Sequence, residues 1–219
     1  MSGELAGRVV VNTRAVHQAA ELDRLLEARG AIPYAFPCIA IESIASDAID
    51  SSLEHLANGH YDWLIMTSSN SVQAVSDRLA DLSLTLAPEI RVACVGPKTA
   101  ETAERLLGVP AEIVPNAHHA RALAECIPIS PGARVLLPAS DIAPPDLARL
   151  LEAQGALVDR IAIYRTLQAV LPDVGALIER KVDAIVYASP SAVDAFVEAF
   201  EQAGVDLRAL GSTVIACIG

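Results

Sequence analysis

Aromatic residues are scarce in this chain. Of its 219 residues, one is Trp, four are Tyr and three are Phe, whereas 53% are apolar. The core must therefore be built mainly from Ala, Val, Leu and Ile. Such a composition is typical of helices packed on parallel β-sheets, and the length allows one large domain or two of ordinary size.

Positive charge is scarce as well. The formal net charge is −11, the isoelectric point is about 4.8, and the lysines are Lys98 and Lys181 alone. A nucleic-acid-binding surface would need a basic patch, so nucleic acid is excluded as a partner. An acidic ligand would have to be held by main-chain amides and a few arginines, against the net charge of the protein.

The cysteines are few and far apart: Cys38, Cys94, Cys126 and Cys217. Neither CxxC nor CxxH occurs, so we expect no metal site. Cys94 and Cys217 lie in apolar, strand-like segments and are predicted to be small buried hydrophobic residues. This cysteine usage indicates a reduced, cytoplasmic protein.

Long apolar segments and common ligand-binding motifs are also missing. No uncharged apolar run reaches the ~18 residues of a membrane helix, and no export signal is recognised around Glu4 and Arg8, so we expect no membrane contact. A phosphate-binding loop is not supported, because Pro97 directly precedes Lys98 and Val92 replaces the first glycine. GxGxxG and GxSxG are absent, which argues against a dinucleotide site and a serine hydrolase.

What the sequence does contain is a repeated strand–turn–helix pattern, in residues 61–72 (YDWLIMTSSNSV) and 182–193 (VDAIVYASPSAV). Each copy has an early Asp, an apolar run typical of a strand buried on both faces, and a hydroxyl-rich turn before a helix. Carboxyl ends of parallel strands bind ligands, and helix amino termini favour anions. The turns therefore predict a ligand-binding edge, although their serines could equally serve only as helix caps.

The repeated pattern belongs to an internal duplication. Three segments recur in one order: residues 22–30 match 147–155, 61–75 match 182–196, and 92–96 match 215–219. Because strands and helices alternate throughout, we predict two similar α/β units with parallel sheets. The first copy continues past Gly96 with a helix, a strand over residues 111–114 and another helix. The second copy stops at Gly219, so we expect that unit to lack its last elements.

Two further features are ambiguous from the residues alone. His118 and His119 are adjacent, so their side chains diverge, and a solvated helix start is a simpler interpretation than a metal site. Tyr164 follows the apolar residues 161–163, and periodicity makes it no more than the end of a strand.

Six motifs, taken in their order along the chain, resemble the uroporphyrinogen-III synthase family of tetrapyrrole biosynthesis. They are NTR (12–14), TSSNSV (67–72), VGPKTA (95–100), YRT (164–166), SPSAV (189–193) and ACIG (216–219). The resemblance covers nearly the whole chain and is carried by the joint order of the motifs. It implies an α/β fold of two flavodoxin-like, parallel-sheet domains joined by a two-stranded connection. Domain one would be discontinuous, residues 1–36 and 166–219, and domain two would be residues 37–165.

The resemblance also implies a reaction. Linear hydroxymethylbilane loses water to give an electrophilic azafulvene, passes through a spiro intermediate and closes to uroporphyrinogen III with its last pyrrole ring inverted. No metal and no organic cofactor take part, and the enzyme, a cyclising hydro-lyase expected to be a monomer, acts mainly by orienting the chain. Such a substrate carries eight carboxylates, which the amides at strand and helix ends could bind.

The residues that match the family motifs give the expected site. Tyr164 matches the tyrosine thought to assist departure of the hydroxyl, because a phenol can donate a hydrogen bond. The expected substrate-binding residues lie at the carboxyl ends of strands and the first turns of helices: Thr13, Arg14, Ser68, Ser69, Asn70, Lys98, Thr99, Ser189 and Ser191.

Two other classes stay open at this point. One is a non-catalytic module of the same fold that binds a tetrapyrrole or another polyanion. The other is a hinge-bending protein that binds an unrelated small ligand, which would ordinarily carry an export signal. An assay of hydroxymethylbilane cyclisation, with identification of the isomer formed, separates these classes from the enzyme.

Overall fold

Strands and helices alternate along the chain. The computed structural model describes residues 3–169 and 173–217. The strands are β1 (Val9–Asn12), β2 (Ile32–Ala35), β3 (Ile39–Ser43), β4 (Trp63–Met66), β5 (Arg91–Cys94), β6 (Arg134–Ser140), β7 (Leu157–Gln168), β8 (Ala184–Tyr187) and β9 (Val214–Cys217). The helices are α1 (Val16–Glu27), α2 (Asp47–Ala57), α3 (Ser69–Asp81), α4 (Pro97–Leu107), α5 (Ala120–Cys126), α6 (Asp146–Ala153), α7 (Val174–Glu179) and α8 (Pro190–Gln202).

These elements form two units. Unit 1 comprises Met1–Ile41 and Leu167–Gly219, and unit 2 comprises Glu42–Thr166. The chain leaves unit 1 within β3 and returns within β7, so the first boundary lies after Ile41 rather than Phe36. The two crossing strands are hydrogen-bonded neighbours. They run antiparallel, because Ile44 N donates to Ile163 O while Ala169 N donates to Cys38 O.

Each unit contains a sheet of the predicted parallel kind. In unit 1 the strand order is β2-β1-β8-β9, and all neighbouring pairs are parallel. The second sheet has the order β3-β7-β6-β4-β5, in which β7, β6, β4 and β5 are parallel. The expected α/β class is therefore confirmed, with β3 as the antiparallel exception.

The structure also confirms the duplication. Without β3, the order β7-β6-β4-β5 repeats the arrangement β2-β1-β8-β9. The two aspartates of the repeated pattern hold equivalent places: the Asp62 carboxylate accepts from Arg134 N at 2.7 Å, and that of Asp183 accepts from Val9 N at 2.8 Å. Each carboxylate thus ties the start of the repeated strand to the start of its neighbour.

The cores of the units differ in composition. In unit 1, Phe36, Tyr187 and Phe200 surround Phe196, with ring centroids 4.8–5.5 Å from that of Phe196. Unit 2 relies on Trp63 together with aliphatic side chains, among them Leu123, Ile127, Val135 and Leu151. All four residues of β4 are buried, as expected of a strand covered on both faces. The serine-rich turn after β4 therefore starts from a firmly packed strand.

Two predictions made from the sequence are wrong in detail. Residues 111–114 do not form a strand; Ile113 makes an isolated bridge to Ala93, because Pro110 and Pro115 flank the segment closely. Cys217 is exposed rather than buried, because among the described residues β9 pairs with β8 alone and none of its four residues is buried.

Other sequence predictions hold or shift slightly. Cys94 is buried, and burial raises the pKa of its thiol to about 12. Helix α2 begins at Asp47, because the Ser46 side chain accepts a hydrogen bond from Ile49 N. The last two residues of the ACIG motif, at positions 218–219, lie outside the described residues. No helix in the described ranges is both long enough and apolar enough to cross a membrane.

The Asp183 contact predicts a specific dependence of stability on pH. The pKa of Asp183 is held below its ordinary value by the Val9 N–H first and by the Arg8 guanidinium second. Since the folded-state pKa is depressed, the contact stabilises the fold above the ordinary pKa of ~3.9 and is lost as the pH falls through the lower folded value.

We therefore expect Asp183→Asn to lower the melting temperature at neutral pH, and the difference from the wild type to shrink below about pH 4. Thermal melting between about pH 3 and pH 7 measures this. Glu201→Gln, at an exposed position of α8, is the control for loss of one negative charge. A difference that stays constant over the whole pH range would contradict the role of the carboxylate.

Candidate functional site

Polar residues and one glycine lie at the carboxyl edge of the sheet in unit 2, where several strands end. Ser68 follows β4, Gly96 follows β5, Ser140 ends β6, and Tyr164 lies in the second half of β7. Because β7, β6, β4 and β5 are parallel neighbours in that order, these positions lie at one edge of the sheet. This is the edge that the sequence predicts for ligand binding.

Tyr164 and Ser68 meet at this edge. The Tyr164 hydroxyl lies 3.1 Å from Ser68 Oγ, although β6 separates their strands. The Tyr164 main chain is fixed by Asp141 N, which donates to Tyr164 O at 3.0 Å. The tyrosine is 7% exposed, so its ring is held by packing. Two residues that the sequence singles out separately are therefore one hydrogen-bonded pair.

The predicted capping role of the serines is confirmed, but it does not account for all their contacts. Ser68 Oγ accepts from Ser71 N at 3.0 Å at the start of α3, and Ser189 Oγ accepts from Ala192 N at 3.2 Å at the start of α8. Ser68 Oγ also contacts Ser71 Oγ at 3.0 Å and Tyr164. Ser68 is thus a cap with two further partners.

The remaining predicted residues also lie in the first turns of helices. Ser69 Oγ in α3 lies 3.1 Å from Thr102 Oγ1 in α4, and Thr102 Oγ1 lies 2.8 Å from Lys98 O within α4. Asn70 and Ser191 are half-buried in the first turns of α3 and α8.

The start of α4 offers an anion-binding terminus in unit 2. Its N-cap residue is Gly96, so no side chain among the described residues caps this helix, and Pro97 has no N–H. Thr99 is 6% exposed, and the exposed Lys98 side chain lies 3.5 Å from Glu101. The uncapped first turn can therefore donate amide hydrogen bonds to an anion.

The two adjacent histidines follow the simpler interpretation. Both are exposed, and His119 Nδ1 accepts from Ala122 N as the N-cap of α5. The His118 ring lies beside Gly96, about 3.5 Å from where a Cβ would stand on that glycine. Within the described ranges, no group of three or more His, Cys, Asp and Glu side chains could hold a metal ion.

In unit 1, the residues after β1 are arranged by Asn12. This side chain, 1% exposed, donates to Asp23 at 2.8 Å and accepts from Arg14 N at 3.1 Å. Thr13 is fully buried and donates to Val186 O at 2.8 Å. The Thr13 hydroxyl therefore holds β1 against β8, and the sequence does not indicate the positioning role of Asn12.

Arg14 carries an unsatisfied donor. Its Nε is buried and has no hydrogen-bond partner among the described residues. A buried donor without an acceptor costs about 1–3 kcal/mol, and more for a charged group. Arginine pairs well with carboxylates. The unmet donor makes Arg14 a candidate for contact with a carboxylate.

A cavity at the opposite, amino-terminal edge of unit 2 does not share this chemistry. It measures about 710 Å³ and is lined by side chains of both charges, including His55, His60, Arg134 and Asp159. The Tyr61 hydroxyl there already donates to Asp159 at 2.5 Å. Burial first, and then the Asp159 carboxylate, raise the pKa of Tyr61 to about 12. Ser52 of α2 also donates to Asp159, at 3.2 Å, so this network joins α2 and β7 to the segment before β4 and has a structural role.

The fold and the site define a two-unit α/β protein whose strand ends carry helix caps, an uncapped helix terminus and an unmatched arginine donor. Comparison with known proteins narrows this class. The sequence profile of the uroporphyrinogen-III synthase HemD family matches residues 20–219. The chain belongs to the uroporphyrinogen-III synthase family.

Individual relatives agree with this assignment. A uroporphyrinogen-III synthase from Synechococcus elongatus is 30% identical over 224 aligned residues, which cover 98% of this chain and 84% of that protein. A porphyrin biosynthesis protein HemD from Ruminiclostridium josui is 26% identical, and the match covers 76% of this chain but 33% of that protein.

Solved structures show the same fold. Uroporphyrinogen III synthase from Thermus thermophilus is 23% identical, matches 98% of this chain and 85% of its own, and superposes with a TM-score of 0.65. The enzyme from Helicobacter pylori, 14% identical over 97% of this chain and 84% of its own, gives a TM-score of 0.59.

Proposed function

We propose that this chain is a cyclising hydro-lyase in which Tyr164 assists the departure of water from hydroxymethylbilane and the strand-end groups hold the substrate carboxylates. Membership of the uroporphyrinogen-III synthase family is the observation that assigns the reaction. In that reaction, hydroxymethylbilane closes to uroporphyrinogen III with its last ring inverted. The Tyr164–Ser68 contact supports the assignment of Tyr164.

The first chemical step requires a proton donor. The bond between the terminal carbon and its hydroxyl breaks as the pyrrole nitrogen supplies electrons, and the proton of Tyr164 goes to the departing oxygen as water forms. The substituted α-carbon of the last pyrrole then attacks the methylene carbon of the azafulvene to give the spiro intermediate. The older bond from that α-carbon to its methylene bridge breaks, and the bridge carbon bonds to the free α-carbon of the same ring, which inverts the ring. The proton released when aromaticity is regained restores the tyrosine, so the net loss is one water. Such general-acid assistance is worth roughly 10²–10⁴-fold.

The substrate class suits the polar groups at the strand ends. Eight carboxylates must bind to a protein with a net charge of −11, so local donors have to outweigh the overall repulsion. The unmet Arg14 Nε supports one carboxylate contact, and the uncapped start of α4 near Thr99 supports another. Main-chain amides are suited to this task, because they are fixed before the ligand arrives.

The chemistry of the reaction and the state of the cysteines bear on the cofactors and the cellular compartment. Water loss and carbon–carbon bond formation need neither a redox cofactor nor a metal. The four free cysteines, of which Cys38 and Cys94 are buried, support a reducing compartment, and we propose the cytoplasm. That the enzyme acts as a monomer stays a prediction.

The direct test is incubation of the purified chain with hydroxymethylbilane, followed by separation of the isomers formed. We expect uroporphyrinogen III in excess over the isomer whose last ring is not inverted. The isomer ratio of a protein-free incubation is the reference. The same ratio with and without the protein would refute the enzyme and favour a binding module of this fold.

Tyr164→Phe should lower turnover more than Ser68→Ala or Thr99→Ala does. The phenol is the group proposed to touch the leaving hydroxyl, whereas the first-turn amides are main-chain groups that the other two substitutions leave in place. We expect a fall of roughly 10²-fold or more for Tyr164→Phe. Steady-state kinetics of the three variants measures this, and unchanged turnover of Tyr164→Phe would remove the tyrosine from the mechanism.

Arg14→Met tests the unmet donor. The substitution keeps an unbranched apolar side chain but removes the buried Nε–H, so the free protein should melt at the same or a higher temperature. KM should rise about 10-fold or more, as expected for loss of a charged hydrogen bond. Arg24→Met, at an exposed position of α1, is the matched control. An unchanged KM, or a marked loss of stability, would show that Arg14 serves the fold instead.

A further inference from the structure

Ser68 Oγ is the centre of a three-way hydrogen-bond junction. Its neighbours are Ser71 N at 3.0 Å, Ser71 Oγ at 3.0 Å and the Tyr164 hydroxyl at 3.1 Å. A serine hydroxyl has one hydrogen and two lone pairs. The Ser71 N–H uses one lone pair, which leaves one hydrogen and one lone pair for the two hydroxyl neighbours.

Two directions of the hydrogen bonds are therefore possible. In the first, Ser71 donates to Ser68 and Ser68 donates to Tyr164, so the Tyr164 proton is left for another acceptor. In the second, Tyr164 donates to Ser68 and Ser68 donates to Ser71. The second direction uses the Tyr164 proton inside the protein and leaves the Ser71 proton without an acceptor.

The burial of Ser71 decides between the two directions. Ser71 is 0% exposed, and its side-chain oxygen contacts Ser68 Oγ alone among the polar atoms of the described residues. A buried hydroxyl proton without an acceptor is destabilising, because it loses the hydrogen bond that water would provide. Tyr164 retains 7% exposure and Ser71 retains none, so the direction that leaves the spare proton on Tyr164 is the less costly one. In that direction Ser71 donates to Ser68, and Ser68 donates to Tyr164.

We propose that Ser71 is a positioning residue, which acts through Ser68 to turn the Tyr164 hydroxyl into a donor directed at the substrate. The proposal rests on the role of Tyr164 in the proposed function. No bond of the substrate is made or broken by Ser71 itself. By donating to Ser68, Ser71 leaves the hydrogen of the Tyr164 hydroxyl free to be donated to the leaving hydroxyl of the substrate.

The duplication supplies an internal comparison. The residue of unit 1 that matches Ser71 is Ala192, which is 1% exposed and whose N–H donates to Ser189 Oγ at 3.2 Å. The helix cap is therefore complete with alanine at this position. Ser189 has neither of the two hydroxyl contacts that Ser68 makes in the described structure. The extra hydroxyl of Ser71 is thus not needed for capping, and it occurs in the unit that contains Tyr164.

The test is a double-mutant cycle of Ser71→Ala and Tyr164→Phe. Since Ala192 shows that alanine fits the cap, Ser71→Ala should fold and melt close to the wild type. Its kcat should fall about 3–10-fold, as for one lost orienting hydrogen bond, with KM unchanged. In the Tyr164→Phe background, Ser71→Ala should change kcat by less than about two-fold, because the group that it orients is gone.

The control is Ser76→Ala, the same substitution further along α3, where the hydroxyl donates to Leu106 O at 3.4 Å. It should leave kcat unchanged. Wild-type kcat in Ser71→Ala would overturn the proposal, and so would an equal fall in both backgrounds, which indicates a general structural effect. If Tyr164→Phe is fully active, both the proposed role of Tyr164 and the proposed role of Ser71 are wrong. If Tyr164→Phe is impaired and Ser71→Ala is not, then only the proposal about Ser71 fails.

Discussion

The side-by-side order of β7, β6 and β4 is the constraint on which the chemistry of unit 2 depends. Tyr164 and Ser68 are 96 positions apart in the chain, yet their hydroxyls lie within hydrogen-bonding distance. They meet because both strands run in one direction and end at one edge. The Asp62 carboxylate ties β4 to the start of β6, and the full burial of β4 keeps this register in place.

The two copies of the duplicated pattern show how one scaffold can serve different tasks. Both copies fix a strand with an aspartate and cap the following helix with a serine. One of the differences between the copies is the hydroxyl group of Ser71, which has no counterpart at Ala192. Because the cap forms in both, this difference changes the direction of hydrogen bonds rather than the fold. Chemistry of this kind can be added to a strand end without cost to its architecture.

Much of the fold follows from local patterns in the sequence. The unbroken apolar runs at β4 and β8, the hydroxyl-rich turns and the repeated segments indicate parallel strands and two related units. The discontinuity of unit 1 is not visible in this way, because each strand pairs with neighbours that are distant in the chain. Cys217 shows the limit of the same reasoning: an apolar run predicts burial, but burial depends on what covers the strand, and β9 has little cover in the described structure.

The candidate site is only partly readable from the sequence. The motifs point to Ser68, Thr99, Ser189 and Tyr164, since each lies at a strand end or a helix start. They do not reveal that the Thr13 hydroxyl donates to Val186 O, or that the Asn12 side chain accepts a hydrogen bond from Arg14 N. Nor do they distinguish Ser71 from an ordinary helical serine. These roles depend on burial and on partners far away in the chain, which spacing does not encode.

In the proposed arrangement, the buried hydroxyl of Ser71 leaves the Tyr164 proton for the substrate. Neutron diffraction from a deuterated crystal of the protein without substrate would locate the hydrogens at this junction directly. We expect a deuterium on Ser71 Oγ directed at Ser68, and one on Ser68 Oγ directed at Tyr164. A deuterium on the Tyr164 hydroxyl directed at Ser68 Oγ would contradict it.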